Sequence, residues 1–493
     1  MSIKEKLTMN LSPKYNVILI IIDALRAKNL SSYGYPLPTS INIDRLVKEG
    51  VKFENAYACT NATDPSFTTI FTGRFPLCHG ILHHGPYVTR EEMMRVRTII
   101  SLPEILRSNG YLTLAVDWLG RWHKRGYDFY SGSSALDQRE PLFKRIPFNF
   151  IRRFSGRPEI QYIVYVLLKA ALRNKFNIGE VTYFNARKVT DLAIELIKKY
   201  CKRKFFLALH YEDNHLPYSP PISYVNRFYH LYGMKYPKIK LDDILRKIGN
   251  PKFRLAMRNL TIDAESTDEL LARYDGEISF VDHEIGRLLE ILDNYGLSDE
   301  TIIVLTSDHG ESLLEHEIFF DHHGLYEEVI HVPLIIKGPG LPKSKRIKNL
   351  VQHTDILPTL LDLLDIRKPL FLDGKSLVSL IYSSKEEKEA HPTAYFEEYN
   401  YEQKRSIRVG QYKYIRALSY KGAICKVCVK VHGGIEELYD LSRDPKEVRN
   451  IINDEPELAR EFKGLLDEWI RSLRRKSEKE KIRSKLKEIR DII

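Results

Sequence analysis

The sequence predicts an α/β protein: a doubly wound, mostly parallel sheet flanked by helices, followed by a smaller C-terminal α+β lobe. Three observations carry this reading. After Asn16, residues 17–22 are apolar without alternation, as a parallel strand covered on both faces requires. Comparable runs at 111–116, 204–209 and 301–306 are separated by segments of helical spacing. A chain of 493 residues also exceeds what one hydrophobic core accommodates, so a second unit is expected.

The first strand ends at Asp23, a position from which a rigid element can aim a carboxylate. The stretch from Thr63 to Gly73 reads as a turn entering a helix N-terminus, which presents N–H groups to an anion. Ser101 as N-cap, Pro103 in the first turn and Gly110 at the end predict a helix before the 111–116 strand. Ile278, Val281, Ile285, Leu288, Leu289 and Leu292 recur at three- or four-residue steps and make a stripe that lies on a sheet until Gly296. After about Pro392 come short β-like pieces, 406–409 and 412–415, and then a helix over 456–473. These boundaries divide the chain into an α/β catalytic domain over 14–385, a C-terminal lobe over 386–474 and a charged helix or tail over 475–493. Residues 138–177, rich in Arg, Lys and aromatics, interrupt the strand–helix rhythm and read as a lid, a helix in peripheral contact with a membrane or a packed peripheral helix.

Composition excludes several classes. Hydrophobic residues at 43% and charged residues at 29% describe a globular chain, and no apolar run approaches the length that spans a bilayer. Residues 1–13 lack the apolar core and cleavage site of a secretory signal, so a cytoplasmic location is expected. The net charge of +11 owes much to residues 471–490, a solvated helical pattern with no nucleic-acid motif beside it; no nucleic-acid partner is expected. Five cysteines give no disulfide framework. Cys425 and Cys428 form a lone C-x-x-C pair that supplies half of a tetrahedral zinc site, and ordinary buried cysteines are the preferred reading.

Chemistry gathers at strand ends. Asp308-His309-Gly310-Glu311 places a carboxylate and an imidazole together after a later strand, a donor set that suits manganese or zinc better than calcium. His316, His322 and His323 follow in one short loop. Asp213 and His215 follow the 204–209 strand at the same sheet edge. Thr63 is either a nucleophile or an N-cap.

In order, these motifs resemble the sulfatase family of the alkaline phosphatase superfamily. Asp23-Ala24-Leu25-Arg26 is similar to its first metal-binding turn, and Ile43-Asp44-Arg45-Leu46, Glu49-Gly50-Val51-Lys52-Phe53 and Asn55-Ala56-Tyr57 match its next helix and turn. Thr72-Gly73-Arg74-Phe75-Pro76 resembles the end of its nucleophile motif, and Thr306 to Glu311 its second metal-binding segment. Asp355-Ile356-Leu357-Pro358-Thr359 and Glu437-Leu438-Tyr439-Asp440 are similar to its C-terminal half. The resemblance covers nearly the whole chain except residues 138–177 and implies an alkaline-phosphatase-like fold, an anionic ester substrate and ester hydrolysis.

Four departures qualify it. A type sulfatase has a cysteine, matured to formylglycine, where this chain has Thr63, and an arginine where it has Phe67. A second acid is replaced by Ala24, and an asparagine by His309. Threonine cannot expel a sulfuryl group by collapse to an aldehyde. The set Asp23, Thr63, Asp308 and His309 resembles the single-metal site of lipoteichoic acid synthases and, threonine apart, of phosphonate monoester hydrolases. The resemblance therefore implies one Mn²⁺ or Zn²⁺ at these four residues, Thr63 and His215 as catalytic groups, and Arg26, Asp213, His316, His322 and His323 as substrate-binding candidates. Phosphate-ester cleavage or phosphoryl transfer is the leading expectation. A sulfuric ester hydrolase without formylglycine and a non-catalytic binding protein remain the alternatives.

Overall fold

The computed structural model describes residues 14–132, 185–233, 239–261, 264–383 and 392–492, so the 138–177 insertion and the membrane contact considered for it lie outside the described residues. Among the described residues no helix is long and apolar enough to cross a membrane.

Strand β1 (Asn16–Ile22) is central to an eight-stranded sheet. The other strands are β2 (Val51–Tyr57), β3 (Leu112–Val116), β4 (Phe129–Tyr130), β5 (Phe205–Tyr211), β6 (Thr301–Ser307), β7 (Leu334–Lys337) and β8 (Lys345–Gln352). Their order is β4-β3-β5-β1-β6-β7-β2-β8, and only β7 runs antiparallel to its neighbours. Every residue of β1 is buried because its two faces feed two cores. Ile18, Ile20 and Ile22 join one, with Val189, Ala193 and Ile197 of α5 (Ala186–Tyr200) and the Ile278 to Leu292 stripe of α6 (Thr267–Asn294). Val17, Leu19 and Ile21 join the other. There they meet Phe67 and Ile70 of α2 (Thr63–Thr72), Leu102 and Leu106 of α4 (Leu102–Ser108), and Leu357 and Leu360 of α7 (Ile356–Leu363). Each such isoleucine contributes about 1.5–3 kcal/mol by burial, which explains the unbroken apolar run.

The expected strands and helices appear, with two instructive differences. β5 continues beyond 209 through His210 and Tyr211, which pair with Ile21 and Ile22 of β1. A polar imidazole ended the apolar signal in the sequence, but the ladder carries it to the sheet's carboxyl edge. Of residues 43–57, expected as a helix and turn, 43–49 are helical and 51–57 form β2, paired with both β7 and β8 and burying Val51 and Phe53. Helix α1 (Ile41–Glu49) precedes it, and α3 (Arg90–Val96) follows α2.

The smaller lobe is a four-stranded antiparallel sheet, β12-β11-β10-β9, built from β9 (Thr393–Glu398), β10 (Lys404–Val409), β11 (Tyr412–Ala417) and β12 (Glu436–Asp440). The terminal helix expected over 456–473 and the charged segment after it form one element, α8 (Pro456–Ile492). Phe462, Leu466, Trp469 and Ile470 of α8 bury themselves with Phe75 and Cys78 of the large domain, beside Ile407, Tyr414 and Leu438 of the small sheet. Trp469 stacks on Tyr395 at 4.3 Å and meets Phe75 edge-on at 5.2 Å, tying the two lobes together.

Candidate active site and metal centre

Adjacent strands bring the acids together. Ile22 of β1 pairs with Ser307 of β6, so Asp23 and Asp308 leave the sheet side by side at its carboxyl edge. Ser307 locks the exit, its Oγ donating to the Ile22 carbonyl at 2.6 Å and accepting the Leu25 N–H at 2.9 Å. Ala24 takes φ +55°, a left-handed conformation that costs an alanine about 1 kcal/mol or more and is found chiefly where a site demands it. Gly310 is required for a different reason: a Cβ there would lie 2.2 Å from the Glu328 carbonyl oxygen.

Thr63 is the first residue of α2, with Ala62 as the N-cap, so its hydroxyl is not used as the cap. Its Oγ1 lies 3.4 Å from His309 Nε2. The same nitrogen is 3.4 Å from Asp308 Oδ2 and 3.7 Å from Asp23 Oδ1. All four side chains are buried.

The donor set fits a divalent ion. Asp308 spends Oδ1 on the N–H groups of Ala24 and His309, while its buried Oδ2 has no hydrogen-bond partner. Asp23 Oδ1 is likewise buried and without one. His309 Nδ1 bonds the Gly310 carbonyl at 2.8 Å, which puts the proton on Nδ1 and the lone pair on Nε2 toward the acids. Buried acceptors with no donor are costly unless a cation faces them. The ligand atoms of Asp23, Asp308 and His309 lie within 4.8 Å of one another.

Electrostatics agree. Burial, and then the neighbouring Asp308, push the Asp23 carboxyl up to about 7, so bringing both acids to charge requires a compensating cation. Burial and then His322 hold His309 well below the ordinary imidazole range, keeping it neutral. His210 is the contrary case: burial opposes its charge, but a hydrogen bond to Asp117 at 2.8 Å and contact with Asp23 at 3.5 Å raise it to about 10. Phe67 packs on this imidazolium at 4.5 Å, so the position the resemblance reserves for arginine holds a ring, and the nearby cation is His210.

A cavity of about 100 Å³ opens onto Asp23 and Thr63, with His84, His215, Glu311 and His322 in its wall. His215 bonds the Leu216 carbonyl through Nδ1 at 2.9 Å and stands edge-on to His322. The other substrate-binding candidates are engaged elsewhere and do not line this cavity. Arg26 is buried and paired with Glu315 at 2.7 Å. Asp213 accepts the Ala186 N–H at 2.9 Å, capping α5. His316 lies flat on Tyr326 at 3.6 Å and reaches Glu328 at 3.2 Å. His323 turns to the cysteines of the small lobe.

Asp64, His84, His210 and Glu311 were not among the expected site residues. Asp64, beside Thr63, is buried and held well below the carboxylate range as His84, His123 and Arg121 outweigh the cost of burial. Its oxygens take His84 at 3.0 Å and His123 at 3.2 Å, drawing His84 to the cavity. His210 sits inside a strand, and Glu311, three residues after Asp308, has its carboxyl raised well above the usual range, chiefly by burial.

A family model described as Sulfatase matches residues 15–366, and one described as N-sulphoglucosamine sulphohydrolase, C-terminal, matches residues 315–476. The chain is 27% identical to a sulfatase of Formosa agariphila, over 90% of this chain and 83% of the relative. It is 25% identical to an N-acetylglucosamine-6-O-sulfatase of Bacteroides thetaiotaomicron, over 92% and 85%. The solved phosphonate monoester hydrolase of Agrobacterium radiobacter superimposes with a TM-score of 0.67 over 94% of this chain and 96% of that one, at 20% identity, and shows the same fold. The chain therefore belongs to the sulfatase family, hydrolases that act on ester bonds of anionic substrates with a divalent metal, usually Ca²⁺.

Proposed function

We propose that this protein cleaves phosphate esters, mono- or diesters, or transfers their phosphoryl group, through a covalent ester on Thr63, and that its ion is Mn²⁺ or Zn²⁺ rather than Ca²⁺. The observation that carries the reading is the identity of residue 63: a threonine hydroxyl 3.4 Å from His309 Nε2, beside the unpartnered oxygens of Asp23 and Asp308. A threonine ester has no aldehyde to collapse to, so it is released only by water attacking the central atom, an ordinary second step for phosphorus. The nitrogen of His309 among the ligands favours the softer ions.

Held by Asp23, Asp308 and His309, the ion would supply Lewis-acid stabilisation of the equatorial oxygens. The Thr63 Oγ1 proton passes to solvent, and Oγ1 forms the bond to phosphorus as the bond to the ester oxygen breaks. His215 gives that departing oxygen its proton. In the second step water attacks phosphorus and gives a proton to His215, while the bond to Thr63 breaks and Oγ1 regains a proton from solvent. Glu311, whose carboxyl burial raises well above its ordinary range, accepts the Tyr218 hydroxyl through Oε1 at 2.7 Å and stands in the cavity wall. His84 and His322 frame the entry. The names of the sulfatase relatives favour a second reading, hydrolysis of sulfuric esters without formylglycine.

The test is a panel of aryl phosphate monoesters, diesters and aryl sulfates, assayed after chelation with Mn²⁺, Zn²⁺ or Ca²⁺ restored, on the natural chain and on Thr63→Ala. Phosphate-ester turnover that Thr63→Ala loses by about 10⁴-fold or more is expected. Turnover of sulfates alone supports the second reading, and no turnover with any ion supports a binding protein.

A further inference from the structure

A second donor cluster lies outside the catalytic cavity. His323, Cys425, Cys428 and His432 each offer one ligand atom, all within 4.8 Å of one another, and none of the four residues is more than 4% exposed. Both cysteines are free thiols. Three stretches of chain meet here: the loop that carries His322, the C-x-x-C turn, and the residue that follows its return strand at the Ile424–Val431 bridge.

One edge of the cluster has the length a tetrahedral site requires. Cys428 Sγ lies 3.6 Å from His323 Nε2. With zinc–sulfur and zinc–nitrogen bonds of about 2.3 and 2.0–2.1 Å, a tetrahedral S–N edge is also about 3.6 Å. His432 donates Nδ1–H to the His316 carbonyl at 2.9 Å, and its buried Nε2 has no hydrogen-bond partner. His323 turns Nδ1 toward the Asp321 carboxylate, 3.6 Å from Oδ2 and so at ion-pair rather than hydrogen-bond distance, which leaves Nε2 for the cluster. Cys425 Sγ accepts the Cys428 N–H at 3.4 Å, a backbone donor to sulfur that steadies a thiolate. Two thiolates and two neutral imidazoles around a doubly charged cation make a neutral buried unit. The same groups without an ion leave an imidazole acceptor and a thiol pair stranded in the interior.

We propose that His323, Cys425, Cys428 and His432 bind a structural zinc ion that clips the small lobe to the catalytic edge of the large domain. Four protein ligands close the coordination shell, so the ion has no open position for substrate, and the soft thiolates select zinc over the hard cations. The clip acts on the active site through one peptide bond: His323 is a ligand, and His322 lies on the ring of His309 at 4.2 Å.

The site is separated from the catalytic one by working in Asp23→Ala/Asp308→Ala. Full-length chain of that variant, isolated from zinc-supplemented cells, is expected to retain one zinc per chain, and adding Cys428→Ser is expected to remove it. Cobalt in place of zinc is expected to give thiolate-to-metal charge-transfer absorption, which carboxylate and imidazole ligands alone do not produce. Unchanged zinc content in the Cys428→Ser chain, absence of that absorption, or a Cys425–Cys428 disulfide in the freshly isolated protein overturns the proposal. Should the cysteine variant fail to fold, thiol reactivity of the natural chain decides. Two buried thiols that become reactive only as one zinc is released support the site, and two that react in a folded, zinc-free chain refute it.

Discussion

The imidazole of His322 lies almost parallel to that of His309, with ring centroids 4.2 Å apart and planes inclined by 25°. His322 is fixed in turn by Nδ1 donating to the Asn61 carbonyl at 2.6 Å, two residues before Thr63. One ring thus braces a metal-ligand candidate and ties it to the segment that carries Thr63.

Replacing His322 by Ala is expected to lower metal affinity or turnover by about 10–100-fold, the usual effect of losing a partner that orients a ligand. His322→Phe keeps the ring contact and loses the nitrogens. Titrating the ion into both variants separates the two contributions: affinity near the natural value in His322→Phe assigns the effect to stacking.

Removal of the ion should expose the repulsion between Asp23 and Asp308. The Asp23 carboxyl is raised from 3.8 to about 7, so in ion-free protein it favours folding most below pH 4 and the benefit is lost as pH rises through 7. An entering ion displaces that proton. Calorimetry in buffers of different ionisation enthalpy is expected to show proton release on binding below pH 7 that fades above it, with affinity rising over the same interval.

Glu92 titrates in the opposite sense. It accepts the Leu82 N–H at 2.8 Å, the His83 ring at 3.1 Å and the Thr89 N–H at 2.7 Å, and these bonds outweigh burial to lower its carboxyl to about 2. Its stabilising contribution is complete above pH 4.5 and disappears as pH falls toward 2. Glu92→Gln should unfold more easily than the natural chain at pH 7 and equally easily near pH 2. Because Glu92 pins the 82–84 loop, loss of His84 from the cavity wall should appear as a raised KM.

Phe67→Arg restores the family's residue without restoring its chemistry. Phe67 is buried against the His210 cation, so an arginine there adds a second buried positive charge and is expected to cost about 3–5 kcal/mol. A lowered Tm with no gain of aryl sulfate turnover is the expected result, since residue 63 is still threonine.

Continuous apolar strands and the α6 stripe made the sheet legible, since a strand buried on both faces leaves no room for polar residues. Asp23, Asp308 and His309 were legible because a strand end followed by an acid is a local pattern. The rest of the site is not local. His210 lies inside β5, and His84 reaches the cavity through Asp64. His323 sits among three histidines that look alike in sequence, yet it faces a C-x-x-C pair about a hundred positions away while its neighbour His322 lines the cavity that opens onto Asp23. Arg26 read as a cation for the substrate, but a partner 289 positions along the chain, Glu315, holds it.

The helix that closes the chain reaches the catalytic machinery by a short route. Trp469 leans on Phe75, and the Phe75 N–H is bonded to Asp373 at 2.9 Å, immediately beyond the end of the helix that begins at Thr63. A lesion in α8 far from any substrate should therefore show itself as a loss of turnover, and the two lobes should melt in one transition. Shortening the chain before Phe462 would uncover Phe75 and Cys78 to water and remove the packing behind the helix that begins at Thr63.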